Sequence, residues 1–182
     1  MSRYREIAPE ALNEAQRRVY DLIVAGRRGQ VRGPFSILIR APEICEHAAK
    51  LGEHLRWGTS LPPRLSELAI LLTARFWRAQ YEWHAHAPLA KKAGVSSAAI
   101  EAIRRGETPS FAAEEALVYR LVTELQKTQR LSDAGFNEAI EALGEKGLIE
   151  IVAIMGYYSL IGLTLNAFAL PLPAGATPPF PE

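Results

Sequence analysis

Apolar positions recur along most of the chain at intervals of three and four, and glycine or proline interrupts each run. Between Glu10 and Val24, the residues Ala11, Ala15, Val19, Leu22 and Ile23 predict a helix that Gly26 ends. Arg27 to Pro34 is basic, holds Gly29 and Gly33, and reads as a solvated loop. Ile44, Ala48, Leu51 and Leu55 share one face of a helix from Pro42 to Trp57, with Gly58 as its stop. Thr59 to Pro63 is a turn, because proline suits a first helical turn and little beyond it. The next run, Arg64 to about Trp77, is apolar over more than half its circumference and predicts a buried helix. Gln80 to Ala93 is another helix, stopped by Gly94, and Ser96 caps a short one ending at Gly106. Phe111 to Gln126 is amphipathic, Ser132 caps Asp133 to Leu143, and Gly144 closes it. A last helix covers roughly Leu148 to Leu170, and the proline-rich tail beyond it reads as extended or mobile. Strand signals are scarce, and short helix-to-helix links predict an all-α bundle of antiparallel neighbours.

Length and charge narrow the picture. The 182 residues, 48% of them apolar, fit one compact domain spanning 1–182, with an arm at 1–9 and a tail at 171–182. Lys and Arg number 21 against 20 for Asp and Glu, so a net charge of +1 provides no overall field for nucleic acid. The arginines 27, 28 and 32 have few aromatics among them and are read as solvent-facing, not as a nucleic-acid site. The single cysteine, Cys45, excludes a disulfide within the chain, and the opening residues lack a secretory pattern, so a cytoplasmic setting is expected. Ile151 to Leu170 is uncharged for 20 residues, a membrane-spanning length. Its tyrosines, Ser159, Thr164 and Asn166, with no basic anchor beyond, favour a helix buried by its own fold and by neighbouring subunits. Gly156 and Gly162 would then permit close approach of another helix.

One stretch carries candidate chemistry: Glu67 in the buried helix, then Tyr81-Glu82-Trp83-His84-Ala85-His86 in the next. Glu82 and His86 are four apart and are neighbours on a helix, with His86 on an apolar stripe and His84 pointing towards solvent. A shielded imidazole beside a carboxylate suits acid–base work near neutral pH. The plainer account is an ordinary helical pair, with Glu67 simply facing the positive end of its helix dipole. Pro88 removes the partner of the His84 carbonyl, so the helix is expected to kink or restart there. No metal is expected: Glu82, His84 and His86 scatter around a helix axis, and nothing completes a ligand set for His47 and His54.

The stretch ARFWRAQYEWHAHAPLAKKAGVSSAAIEAI resembles the core of the carboxymuconolactone decarboxylase family, whose superfamily includes the alkylhydroperoxidase D-like proteins. The matching features are Glu67 in a buried helix, His86 on the next, and the capped short helix after Gly94; GYYSLIGLTLNAFALPLP resembles the end of longer members. The resemblance implies an all-helical alkylhydroperoxidase D-like bundle and a homo-oligomer, a trimer or hexamer. It also implies a role in the degradation of aromatic compounds. Redox members carry C-x-x-C four residues before the histidine, and those cysteine positions fall here on Ala79 and Glu82. A dithiol peroxidase needs a thiolate to attack peroxide and a second thiol to resolve the product, so that activity is not expected of this cysteine-less branch.

What the resemblance leaves is a cofactor-free lyase or isomerase acting on a small unsaturated carboxylic or lactone substrate. His86 would deliver a proton, Glu82 or Glu67 would orient it, Arg75 or Arg78 would hold an anionic substrate, and Tyr81 and Trp83 would wall the pocket. The competing expectation is a non-enzymatic oligomeric binder in which Glu67, Glu82 and His86 are sealed in a dry interface. The two differ in whether a cavity reaches His86.

Overall fold

A computed structural model of the protein describes residues 3–181. Among them a 3₁₀ turn, Pro9–Ala11, precedes eight α-helices, and there is no strand. The helices are α1 (Glu14–Ala25), α2 (Pro34–Leu38), α3 (Pro42–Trp57), α4 (Pro63–Phe76), α5 (Gln80–Ala93), α6 (Ser97–Arg105), α7 (Ala113–Thr128) and α8 (Asp133–Ala167). Two of the glycine stops fall where the sequence places them. Gly94 and Gly106 close α5 and α6 in the left-handed region, at φ of 108° and 78°. Ser96 and Ser132 accept hydrogen bonds from the N–H groups of Ala99 and Gly135.

Helix α4 is the centre of the molecule. Nine of its residues are buried, from Leu65 to Ala74, and it packs against α5, α6, α7 and α8. Each large aliphatic side chain so buried contributes about 1.5–3 kcal/mol. The inner face of α8, including Ile151, Ile154, Tyr158 and Ile161, completes this core, with α2 and α3 packed on it. Gly162 lets α8 approach the α4–α5 corner, where an added Cβ would sit 3.3 Å from that of Ala79. Gly156 is exposed and meets nothing within the chain. The buried carboxylate of Glu150 ties α8 to the α3–α4 turn by accepting hydrogen bonds from the Ser60 N–H and, at 2.7 Å, its hydroxyl. By length and composition α8 is apolar enough to cross a membrane, and half of its most apolar window is buried against the rest of the chain.

Several expectations are corrected. The first helix begins at Glu14 and not Glu10, because Asn13 and Gln16 form a reciprocal capping box. The residues after Gly33 form a short helix, α2, unsignalled because it is buried nearly all round. α5 continues unbroken through Pro88, since the exposed His84 leaves its carbonyl open to water. Gly144, at φ 69° and ψ 169°, breaks the regular geometry of α8, but the helix resumes at once.

The proline-rich tail is pinned to the fold. Phe180 is buried and packs edge-on against Trp83, with ring centroids 5.2 Å apart. Gln80 clamps its backbone from both sides, donating to the Phe180 carbonyl at 2.8 Å and accepting from its N–H at 3.0 Å. Arg104 bonds the Pro179 carbonyl and Arg78 that of Pro181. A proline-rich segment is thus held by one aromatic anchor and four hydrogen bonds to its backbone. Phe180→Ala is expected to lower stability by about 3–5 kcal/mol in chemical denaturation; a loss under 1 kcal/mol would show that the anchor is not holding the tail.

Candidate active site

The α4–α5 corner determines how the candidate residues meet. Arg78 adopts a left-handed conformation at φ 50°, which reverses the chain and lays α5 back along α4. Asn166 on α8 secures the corner by donating to the Trp77 carbonyl at 2.7 Å. Glu67, in the second turn of α4, then reaches His86 near the middle of α5, and its Oε2 lies 2.8 Å from His86 Nδ1. On the other edge of the ring, Glu82 Oε1 lies 3.1 Å from Nε2. Glu67 is therefore engaged with the imidazole and is not a mere dipole partner.

Both ring nitrogens face carboxylate oxygens, which accept and do not donate when ionised. Only the imidazolium can donate from both. Burial alone pulls the His86 pKa down, but hydrogen bonds and charge attraction from Glu67 and Glu82 outweigh it and raise the value from 6.5 to about 9. The His86 side chain is only 6% exposed, and Glu82 is equally sheltered. The ring meets Tyr158 edge-on at 5.1 Å, and Tyr158 meets Tyr157 in the same way at 5.2 Å. Burial pushes the Tyr157 hydroxyl up to about 12 and that of Tyr158 well above its ordinary value, so both phenols stay neutral. Tyr157 is fixed by Gly52 of α3: a Cβ there would lie 2.0 Å from its hydroxyl.

A cavity of about 490 Å³ reaches the triad. Glu82 and His86 lie on its wall, Tyr81 and Tyr158 beside them, while Glu67 stands behind the imidazole. Arg27, Arg28, Arg32 and Arg56 line the cavity as well. Gly33, at φ 58°, leaves room for the Tyr81 ring, 2.7 Å from where a Cβ would be. The arrangement can hold a proton at a buried ring edge and pass it into a half-open, positively charged space.

Not every expected residue arrives there. Tyr81 lines the cavity, but Trp83 faces the opposite way, onto Phe180. Arg75 donates to the carbonyls of Ile103 and Arg104, Arg78 is bonded to the tail, and neither borders the cavity. The arginines that do border it come from the 26–33 segment and α3, so the basic loop read as solvated is one of its walls. Sequence spacing carried no sign of this, because the contact joins residues some fifty positions from His86. Ala79 is buried, and Cys45 lies off the cavity with its thiol pushed up to about 12 by burial, against a partly opposing Arg28. Among the described residues no group of three or more His, Cys, Asp or Glu side chains is placed to hold a metal ion. In the triad the imidazole lies between its carboxylates, and the three do not converge on one point.

Residues 42–124, from α3 into α7, match the model of the carboxymuconolactone decarboxylase family. Glu67, Glu82, His86 and Arg56 fall inside the matched segment, whereas Arg27, Arg28, Arg32 and Tyr158 fall outside it. No curated protein matches the chain.

The raised His86 pKa has a consequence for stability. Between pH 6.5 and about 9 the folded protein holds a proton that the unfolded chain has released. The triad's contribution is therefore complete below pH 6.5, weakens by up to about 1.4 kcal/mol per pH unit, and is gone above the folded value. Denaturation followed across this window should show a steeper decline for the wild type than for His86→Gln; parallel curves would mean that His86 binds no extra proton on folding.

Proposed function

We propose that this carboxymuconolactone decarboxylase-like protein is a lyase or isomerase that acts by His–Glu proton transfer on a small unsaturated carboxylic or lactone substrate. The observation that supports it is an imidazole held between Glu67 and Glu82 on the wall of a substrate-sized cavity. A sealed, non-enzymatic interface predicts no such cavity, and a dithiol peroxidase predicts sulfur where Ala79 and Glu82 stand.

In a γ-carboxy unsaturated lactone, the bond to the carboxylate breaks and its electron pair moves into the ring's conjugated carbonyl. The resulting enolate-like charge develops beside His86 and the arginine wall, both of which favour it. His86 gives the proton on Nε2 to carbon, and carbon dioxide leaves. Glu67 holds Nδ1 throughout, fixing the ring and stabilising the charged form before transfer. Glu82, on the cavity side, is placed to exchange protons with Nε2 and solvent, so the cycle closes with net uptake of one proton. Isomerisation would use the same groups, with a proton removed and returned at a different carbon. A homo-oligomer is part of this reading, supported by the exposed apolar stripe of Ile149, Val152, Leu160 and Leu163 along α8.

The reading is tested by carbon dioxide release from a panel of unsaturated γ-carboxy lactones. His86→Gln should lower kcat by about 10²–10⁴-fold with the fold retained by circular dichroism. A variant as active as the wild type would remove His86 from the chemistry. The wild-type rate should fall as pH rises through about 9, where the imidazolium is lost. Glu67→Gln, which deletes one stabilising charge, should move that fall to lower pH; an unmoved limb would mean that Glu67 does not govern the proton.

A further inference from the structure

We propose that Arg28, with Arg27, Arg32 and Arg56, forms a carboxylate receptor in the cavity, and that its ligand is a small carboxylate with a flat apolar body. This deepens the preceding reading by locating the substrate's anionic group, and it rests on that reading only for what happens at His86.

Outside the cavity, arginines have partners of their own: Arg17, Arg40, Arg75 and Arg78 donate to backbone carbonyls. Arg18, Arg64, Arg104, Arg105 and Arg120 each form an ion pair with a glutamate. The four arginines of the cavity form none among the described residues. The acidic side chain that shares the cavity, Glu82, is already committed to His86. Four positive side chains, Arg27 and Arg32 of them exposed, therefore line one half-open cavity with no ion-pair partner of their own.

Arg28 is the most constrained of them. Its guanidinium lies 4.3 Å over the Phe35 ring and 5.8 Å from Trp57, and it packs against the α3 backbone at Gly52. Its Nε and Nη2 are buried with no hydrogen-bond partner among the described residues. Burying such donors unpaired is costly, and a guanidinium cannot escape by losing its proton. Folding has left a charge that a bound anion would compensate. The rest of the lining explains the second half of the proposal. Phe35, Tyr158, Leu89 and Ile161 offer flat or aliphatic surface suited to an unsaturated hydrocarbon body, which inorganic phosphate lacks.

Benzoate, benzamide and inorganic phosphate serve as probes, titrated into the full chain by calorimetry with Trp57 fluorescence as a second readout. Benzoate is expected to bind saturably, with benzamide and phosphate at least about tenfold weaker. Arg28→Met should weaken benzoate by about 10–100-fold, the scale of a lost hydrogen bond to a charged group. Should that variant misfold, Arg32→Met at the exposed mouth should still weaken it by up to about fivefold. Equal binding of benzoate and benzamide, binding of phosphate as tight as that of benzoate, or unchanged benzoate affinity in folded arginine variants would overturn the proposal. His86→Gln separates the two readings. Because it removes a charge from the cavity wall, it should weaken benzoate less than Arg28→Met does, and a loss as large would move the receptor away from the arginines. Its turnover tests the proton chemistry independently.

Discussion

The structure is organised around one buried imidazole held between two carboxyl groups. Desolvating three ionisable groups is expensive, and their attraction repays that cost only when the geometry is close. The α4–α5 corner carries that requirement. A left-handed Arg78 sets the reversal, Asn166 holds the Trp77 carbonyl, and Gly162 allows α8 to press on Ala79. Relaxing any of these would move Glu67, which reaches the imidazole across nineteen residues of sequence. Two carboxylates against one imidazolium leave a negative excess, and arginines line the same cavity.

Local features were legible in the sequence and long-range ones were not. The Glu82–His86 pair follows from helical spacing alone, and the stops at Gly94 and Gly106 follow from the one residue that takes a positive φ cheaply. The Glu67 contact is tertiary, so spacing allowed a bland reading, and only the family resemblance joined it to His86. Charge and proximity along the chain favour Arg75 and Arg78 as anion-holding groups. Both instead donate to backbone carbonyls away from the cavity, half-buried Arg75 to α6 and exposed Arg78 to the tail. The tail's attachment is not legible in composition, which averages over a segment, because it depends on a single phenylalanine meeting a tryptophan.

The scaffold also shows what replaces sulfur. At the two positions where redox relatives are expected to hold cysteines, this chain has a buried alanine at the head of α5 and a glutamate that faces the ring. Where the resemblance would place a thiol, this chain places a carboxylate 3.1 Å from Nε2 of the imidazole. Cys45, deep in α3 and strongly protonated, takes no part in this contact.

A molecule with a net charge of +1 exerts almost no pull at a distance when considered as a point. Gathering four unpaired guanidinium groups at one opening makes it strongly polarised all the same, and low-dielectric walls focus the field lines through that opening. Under the proposed carboxylate receptor, small anions would be drawn in faster than unaided diffusion would bring them. Because this guidance acts through solvent, dissolved ions dampen it over a Debye length of roughly 8–10 Å. Capture thus becomes sensitive to ionic strength, whereas events beside the shielded imidazole do not.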